Sequence, residues 1–176
     1  GCVFRSNSIS SSSTGGGGVE TAGAPVTMIN SIFAQNTPNG LQVASVDGSV
    51  VDNCTFTANS GYGAAFLASN GNTITNSIFW GDSTGELCTG VCAGSASVTY
   101  CDVQGGFAGT GNVNADPVFI QAPGDLRPGP NSPAVDSGSN FAVTGGVIVD
   151  IAGLPRFFDD PGVADTGVGL PGSPIV

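Results

Sequence analysis

The sequence predicts an all-β coil: a chain wound into a solenoid of three short strands per turn, about 23 residues per coil. Three observations carry this. A Ser/Cys-x-Phe phrase returns along the first 104 residues, three apolar or β-branched runs fill each interval, and turn signals separate those runs. A fixed period with units too short to fold alone is the mark of a solenoid.

The phrase occurs as Cys2-Val3-Phe4, Asn30-Ser31-Ile32-Phe33, Asn53-Cys54-Thr55-Phe56, Asn76-Ser77-Ile78-Phe79 and, degenerate, Tyr100-Cys101-Asp102-Val103. Its final positions are 29, 23, 23 and 24 residues apart. The long first step holds Ser10 to Gly18, which reads as one enlarged flexible loop. The first run of each coil contains Val19-Glu20-Thr21, Leu41-Gln42-Val43 and Phe66-Leu67. The second is Val26 to Ile29, Ser49 to Val51, Thr73 to Thr75 and Ser97 to Thr99, and the third is the phrase itself. Pro38-Asn39-Gly40, Asp47-Gly48, Gly61-Tyr62-Gly63 and Asn70-Gly71-Asn72 supply turns, and no 3.6-residue period appears.

Columns follow from the period. Phe4, Phe33, Phe56, Phe79 and Val103 form an inward stack, with the small residues Cys2, Ser31, Cys54, Ser77 and Cys101 two places before it on the same face. Buried phenyl rings contribute on the order of 2–3 kcal/mol each, so this column is the expected source of cohesion. Asn30, Asn53 and Asn76 are placed at a tight left-handed corner, where their amides bond their copies above and below. Asn7, Asn36, Asn59 and Asp82 mark a second polar corner.

These features resemble the right-handed parallel β-helix of the pectin-lyase-like superfamily over residues 1–104. A leucine-rich solenoid would need a Leu framework, and the chain has six Leu. From 105 to 176 the repeat gives way to a Pro/Gly-rich segment, read as a terminal coil and irregular cap of the same domain. It contains Asn112 to Phe119, Asp125-Leu126-Arg127-Pro128-Gly129, Asn131 to Gly138 and Asp150 to Arg156. These phrases, in this order, resemble the tail of secreted bacterial β-helix surface proteins of the choice-of-anchor type. That resemblance implies a segment closing the last coil before a cell-surface sorting signal, and hence an extracellular or cell-surface location. Neither the family's Asp-Ile-Gly-Ala-Tyr-like phrase nor an anchor follows here, and the chain reads as a portion of a longer one. Its N-terminal edge is expected to be covered by a further coil or a neighbouring subunit. Arg127 and Arg156 are expected to hold the cap through Asp125 or Asp136.

Composition narrows the chemistry. With three Arg, no Lys, 13 acidic residues and a net charge of −10, no basic face exists for nucleic acid. No apolar run is long enough for a membrane helix. The absence of His removes imidazole catalysis and His-ligated zinc. Enzymes of the superfamily act from the outer face of one sheet, lyases with Arg or Lys beside calcium-binding acids, hydrolases with Asp clusters. Here the first-strand face carries Glu20, Gln42, Ala44 and Phe66-Leu67, and Arg5 lies away from it, so no catalytic residues are assigned. Asp47 with Asp52, or Asp159 with Asp160, would be the carboxylate pairs of a glycoside hydrolase; a solvated turn is the plainer reading of the second pair. No cofactor is assigned beyond structural calcium, which Asp150, Asp159, Asp160 and Asp165 would hold.

Cys88-Thr89-Gly90-Val91-Cys92 is spaced to close a small disulfide loop. Cys2, Cys54 and Cys101 read as small buried residues, too far apart to pair. Asn53-Cys54-Thr55 matches a glycosylation sequon but lies in the corner column. Trp80 and Tyr62 would stack on sugar if exposed. The outward column Val3, Ile32, Thr55, Ile78, Asp102 is no flat Thr array of the ice-binding kind, but its apolar members suit a lateral contact. The function expected is therefore a non-catalytic extracellular structural or surface protein for rigid display, adhesion or filament assembly, self-associating through coil ends or sides and contacting carbohydrate. The alternative is a polysaccharide-active lyase or glycoside hydrolase.

Overall fold

The computed structural model describes residues 1–9, 15–169 and 174–175. Among the described residues, fifteen strands follow one another: β1 (Val3–Arg5), β2 (Gly16–Ala22), β3 (Thr27–Ile29), β4 (Ile32–Ala34), β5 (Asn39–Ala44), β6 (Val50–Asp52), β7 (Thr55–Thr57), β8 (Tyr62–Leu67), β9 (Asn72–Thr75), β10 (Ile78–Trp80), β11 (Gly85–Cys88), β12 (Ala96–Thr99), β13 (Asp102–Val103), β14 (Phe119–Gln121) and β15 (Asp125–Pro128). They form three parallel sheets, β1-β4-β7-β10-β13, β2-β5-β8-β11 and β3-β6-β9-β12, plus a small hairpin of β14 and β15. This is the all-β, three-strand coil that the repeat predicts.

The phenylalanine column pairs in register across the first sheet. Ring centroids of Phe4, Phe33, Phe56 and Phe79 lie 4.9, 4.5 and 4.4 Å apart, stacked nearly parallel with interplanar angles of 15°, 1° and 4°. That spacing is the strand separation itself, so each coil adds one ring to a continuous stack. Leu41, Val43, Val51, Phe66 and Ile74 pack around it, all fully buried. Phe66 therefore belongs to the core. In the second sheet the outward line runs Glu20, Gln42, Ala65, Cys88.

The corners divide the work differently from the sequence expectation. Asn30, Asn53 and Asn76 do adopt positive φ, near 50°, as does Tyr100. Their amides, however, do not bond their copies. The side-chain ladder stands at the other polar corner: Asn7 Nδ2 donates to Asn36 Oδ1, Asn36 Nδ2 to Asn59 Oδ1, and Asn59 Nδ2 to Asp82 Oδ1, at 2.8–3.0 Å. Asn36 and Asn59 are wholly buried there and also donate to Phe4 and Phe33 carbonyls, so the ladder satisfies polar groups that the corner would otherwise strand. Opposite it, Gly40 points at the shaft. A Cβ there would sit 2.6 Å from the Gly63 carbonyl and 3.1 Å from the Phe56 ring.

The serines between these coils are also ties: Ser31 Oγ accepts the Cys2 N–H and Ser77 Oγ that of Cys54, both at 3.1 Å. Cys54 and Cys101 are free and buried, and burial pushes both thiols up to about 12. They are inert packing residues. Cys2, expected to be buried, is exposed. Cys88 and Cys92 are bonded around a single 3₁₀ turn, Gly90–Cys92. Of the enlarged loop, residues 10–14 lie outside the described residues, while Gly16 to Gly18 already belong to β2.

Candidate functional site

The Pro-rich tail closes the last coil and then does more. Val113 N–H donates to Cys101 O, Val103 N–H to Val113 O, and Asn112 Oδ1 accepts Cys101 N–H, which lays residues 105–113 over the end of the shaft with Phe107 against the core. Beyond this the chain folds back along the outside of the coils, at the edge of the phenylalanine sheet. Ser139 N–H donates to Asn76 Oδ1 at 2.7 Å, Thr144 N–H and Oγ1 to Asp52 Oδ2 at 3.0 and 2.8 Å, and Asn30 Nδ2 to Val149 O at 3.3 Å. Successive contacts thus step back down the coils towards the N-terminal end. The corner asparagines, freed from bonding one another, serve as the docking points.

Arg156 completes the attachment. Its guanidinium donates to Asn53 Oδ1 at 2.8 Å and to Asn30 Oδ1 at 2.5 Å, bridging two coils. It pairs with neither Asp125 nor Asp136, contrary to expectation, because Asp136 lies with the tail's own loop. Burial lowers its basicity, and Asp52 and Asp150 oppose that. Arg127 does pair with Asp125, through Nε at 2.9 Å and Nη2 at 2.5 Å, which holds the Asp125 carboxyl down at about 2. Asn53 of the sequon is committed to Arg156, so its amide is structural.

Folding back creates a groove of about 530 Å³ between the outer face of the first sheet and the tail. Its floor is Val3, Ile32, Thr55 and Ile78, the outward column read from the sequence. The hairpin residues Asp125 to Pro128 form one wall, and Asp150 to Ala152 with Arg156 the other. The outward column thus faces the folded-back tail across this groove. Arg5 projects from the same face, with its Nε buried and without a hydrogen-bond partner among the described residues. All three arginines of a chain without Lys thus line one groove.

The carboxylates do not assemble as sequence pairs. Asp47 Oδ1 accepts the Asn70 N–H at 2.6 Å, a turn-to-turn tie. Asp52 is buried and spends both oxygens on Thr75, Asn53 and Thr144. Asp150 Oδ1 accepts Ala152 and Leu154 N–H, and Asp160 Oδ1 accepts Gly162 N–H, so both close local turns. Asp159 and Asp165 do come together, but with Asp136 rather than Asp150 or Asp160. Trp80 and Tyr62 are half-buried and line no part of the groove.

A second carboxylate pair escaped the sequence reading. At the end of the amide ladder Asp82 stands where Asn would continue it, and Glu86 stands where the facing column has Gly40 and Gly63. Glu86 Oε1 accepts Gly81 and Asp82 N–H, while Asp82 Oδ2 and Glu86 Oε2 have no donor among the described residues. Burial, then the Glu86 contact, lifts the Asp82 carboxyl to about 8, and burial raises Glu86 as well. The signal was available, since both positions break their columns with an acid. Both residues are buried, and neither lines the groove.

The matched family model is the right-handed β-helix region, over residues 1–121, and the chain belongs to that family. Neither a curated protein nor a solved structure matches it.

Proposed function

We propose that this β-helix is a non-catalytic, extracellular surface module that binds acidic polysaccharide in the groove and presents it along a rigid coil. The single observation that carries the reading is the convergence of Arg5, Arg127 and Arg156 on an apolar floor, in a chain whose surface is otherwise acidic. Sugar C–H faces suit an aliphatic floor of Val3, Ile32 and Ile78, and uronate carboxylates suit guanidinium donors. Arg127 and Arg156 already carry structural partners, which leaves Arg5 as the principal contact. The acids in the groove are likewise engaged by Arg127 or by backbone N–H groups, which favours binding over proton transfer. The Cys88–Cys92 bond favours an oxidising compartment.

The test is equilibrium binding of polygalacturonate and of a neutral glucan to the full chain, with absorbance of unsaturated products followed in the same samples. The acidic polymer should bind, more weakly as salt rises, and Arg5→Gln should cost about tenfold in affinity, the equivalent of about 1.4 kcal/mol. Equal binding of both polymers, or no effect of Arg5→Gln, would refute the site. Product formation dependent on Arg5 would replace a binding module with a lyase.

A further inference from the structure

One charge cluster is not absorbed by the groove. Asp136, Asp159 and Asp165 each offer a carboxylate oxygen, all within 4.8 Å of one another. Asp136 is 1 % exposed and sits at φ 54°. Its carbonyl accepts Thr166 and Gly167 N–H at 3.0 Å, and its Oδ2 accepts Asp160 N–H at 3.1 Å, which fastens the 159–167 loop around it. Its Oδ1 is buried and without a hydrogen-bond donor among the described residues. Asp159 and Asp165 are exposed and face it with oxygen alone.

Among the described residues this arrangement has no counter-charge. A carboxylate oxygen out of water needs a donor or a cation, yet Arg5 lines the groove, Arg127 and Arg156 are committed elsewhere, and the chain has neither Lys nor His. Burial first, and then the charges of Asp159, Asp165 and Asp160, raise the Asp136 carboxyl, the response of a group awaiting positive charge.

We propose that Asp136, Asp159 and Asp165 form a calcium site that staples the 159–167 loop to the 136–139 segment. The donor set is oxygen only, which excludes the softer transition metals. Carboxylate oxygens within 4.8 Å of one another fit around an ion with Ca–O distances of roughly 2.3–2.6 Å, and calcium accepts such an irregular oxygen set more readily than magnesium, which demands near-ideal octahedral geometry and dehydrates reluctantly. The two exposed ligands leave room for water to complete the coordination. With three carboxylates, two of them exposed, the affinity should be that of extracellular modules, about 10⁻⁴–10⁻³ M.

The test uses the full chain freed of metal with chelator, then titrated with CaCl₂ or MgCl₂ while calorimetry and thermal melting are followed. Ten millimolar calcium should raise Tm by roughly 5 °C, with magnesium giving much less. Asp159→Asn and Asp165→Asn, both exposed, should melt like the metal-free chain without calcium and bind calcium at least tenfold more weakly. Those two variants keep the test clear of Asp136→Asn, which disturbs the loop itself. No calcium-dependent shift in the wild-type chain, an equal shift with magnesium, or a calcium shift that survives in the Asp159→Asn/Asp165→Asn double variant would each overturn the site.

Discussion

Replacing Asp82 by Asn should remove most of the alkaline sensitivity of this fold. In the folded chain the Asp82 and Glu86 carboxyls press together at the end of the ladder, and Asp82 is lifted from 3.8 to about 8. A folded-state value above the unfolded one means that the folded chain holds the proton more tightly. Its contribution to stability is complete below about pH 4 and disappears as pH rises through about 8. Each unit of difference is worth about 1.36 kcal/mol, which sets a ceiling of about 5–6 kcal/mol. Relaxation and water entry once the second charge forms reduce the expected loss to about 2–3 kcal/mol, or a fall in Tm of roughly 5–10 °C for a chain of this size. Asparagine keeps an oxygen for Asn59 Nδ2 and offers Glu86 an N–H, so the variant extends the ladder by one rung. The assay is Tm of wild type and Asp82→Asn from pH 4 to pH 9. Asp102, raised by burial to about 6, contributes a slope common to both curves, so their difference isolates the pair. Parallel curves across that range would refute the assignment of this pH dependence to the buried Asp82 carboxyl.

Phe56→Ala removes the ring that touches two others, at 4.5 and 4.4 Å. The cavity and transfer cost is about 3–5 kcal/mol, and two lost stacking contacts add about 1–3 kcal/mol; denaturant midpoints should place it well below Phe4→Ala, whose ring has one neighbour. Arg156→Gln should loosen the fold-back of the tail while leaving the coils intact, at a cost of about 1–3 kcal/mol for its charged hydrogen bonds. Amide exchange at Val149 to Arg156 should quicken by tenfold or more, with Phe33 and Phe56 unchanged; uniform acceleration would mean that the tail is integral to the core.

What could be read from residues alone was whatever repeats. The Phe stack, the left-handed Asn corner and the three-strand coil follow from spacing, because in a solenoid each residue's neighbours are its own copies about 23 positions away, and the Cys88–Cys92 loop was legible because its partners lie only 4 residues apart. The sequence also marked the second polar corner, but not that Asn36 and Asn59 would carry the ladder, since asparagine at either corner looks the same until burial chooses between them. The left-handed turns at Gln35, Ala58 and Ala68 had no local signal at all; coil closure imposes them on residues with no preference for positive φ. Contacts made by residues far apart and without a period were decided only in three dimensions. Arg5 meets Arg127 and Arg156 across the groove, Asp52 holds Thr144, and Asp136 meets Asp159 and Asp165, because the tail reverses along the corner asparagines. The fold is thus written in a period that any short window samples repeatedly, whereas the candidate sites depend on single, non-repeating encounters that only the packed tail brings about.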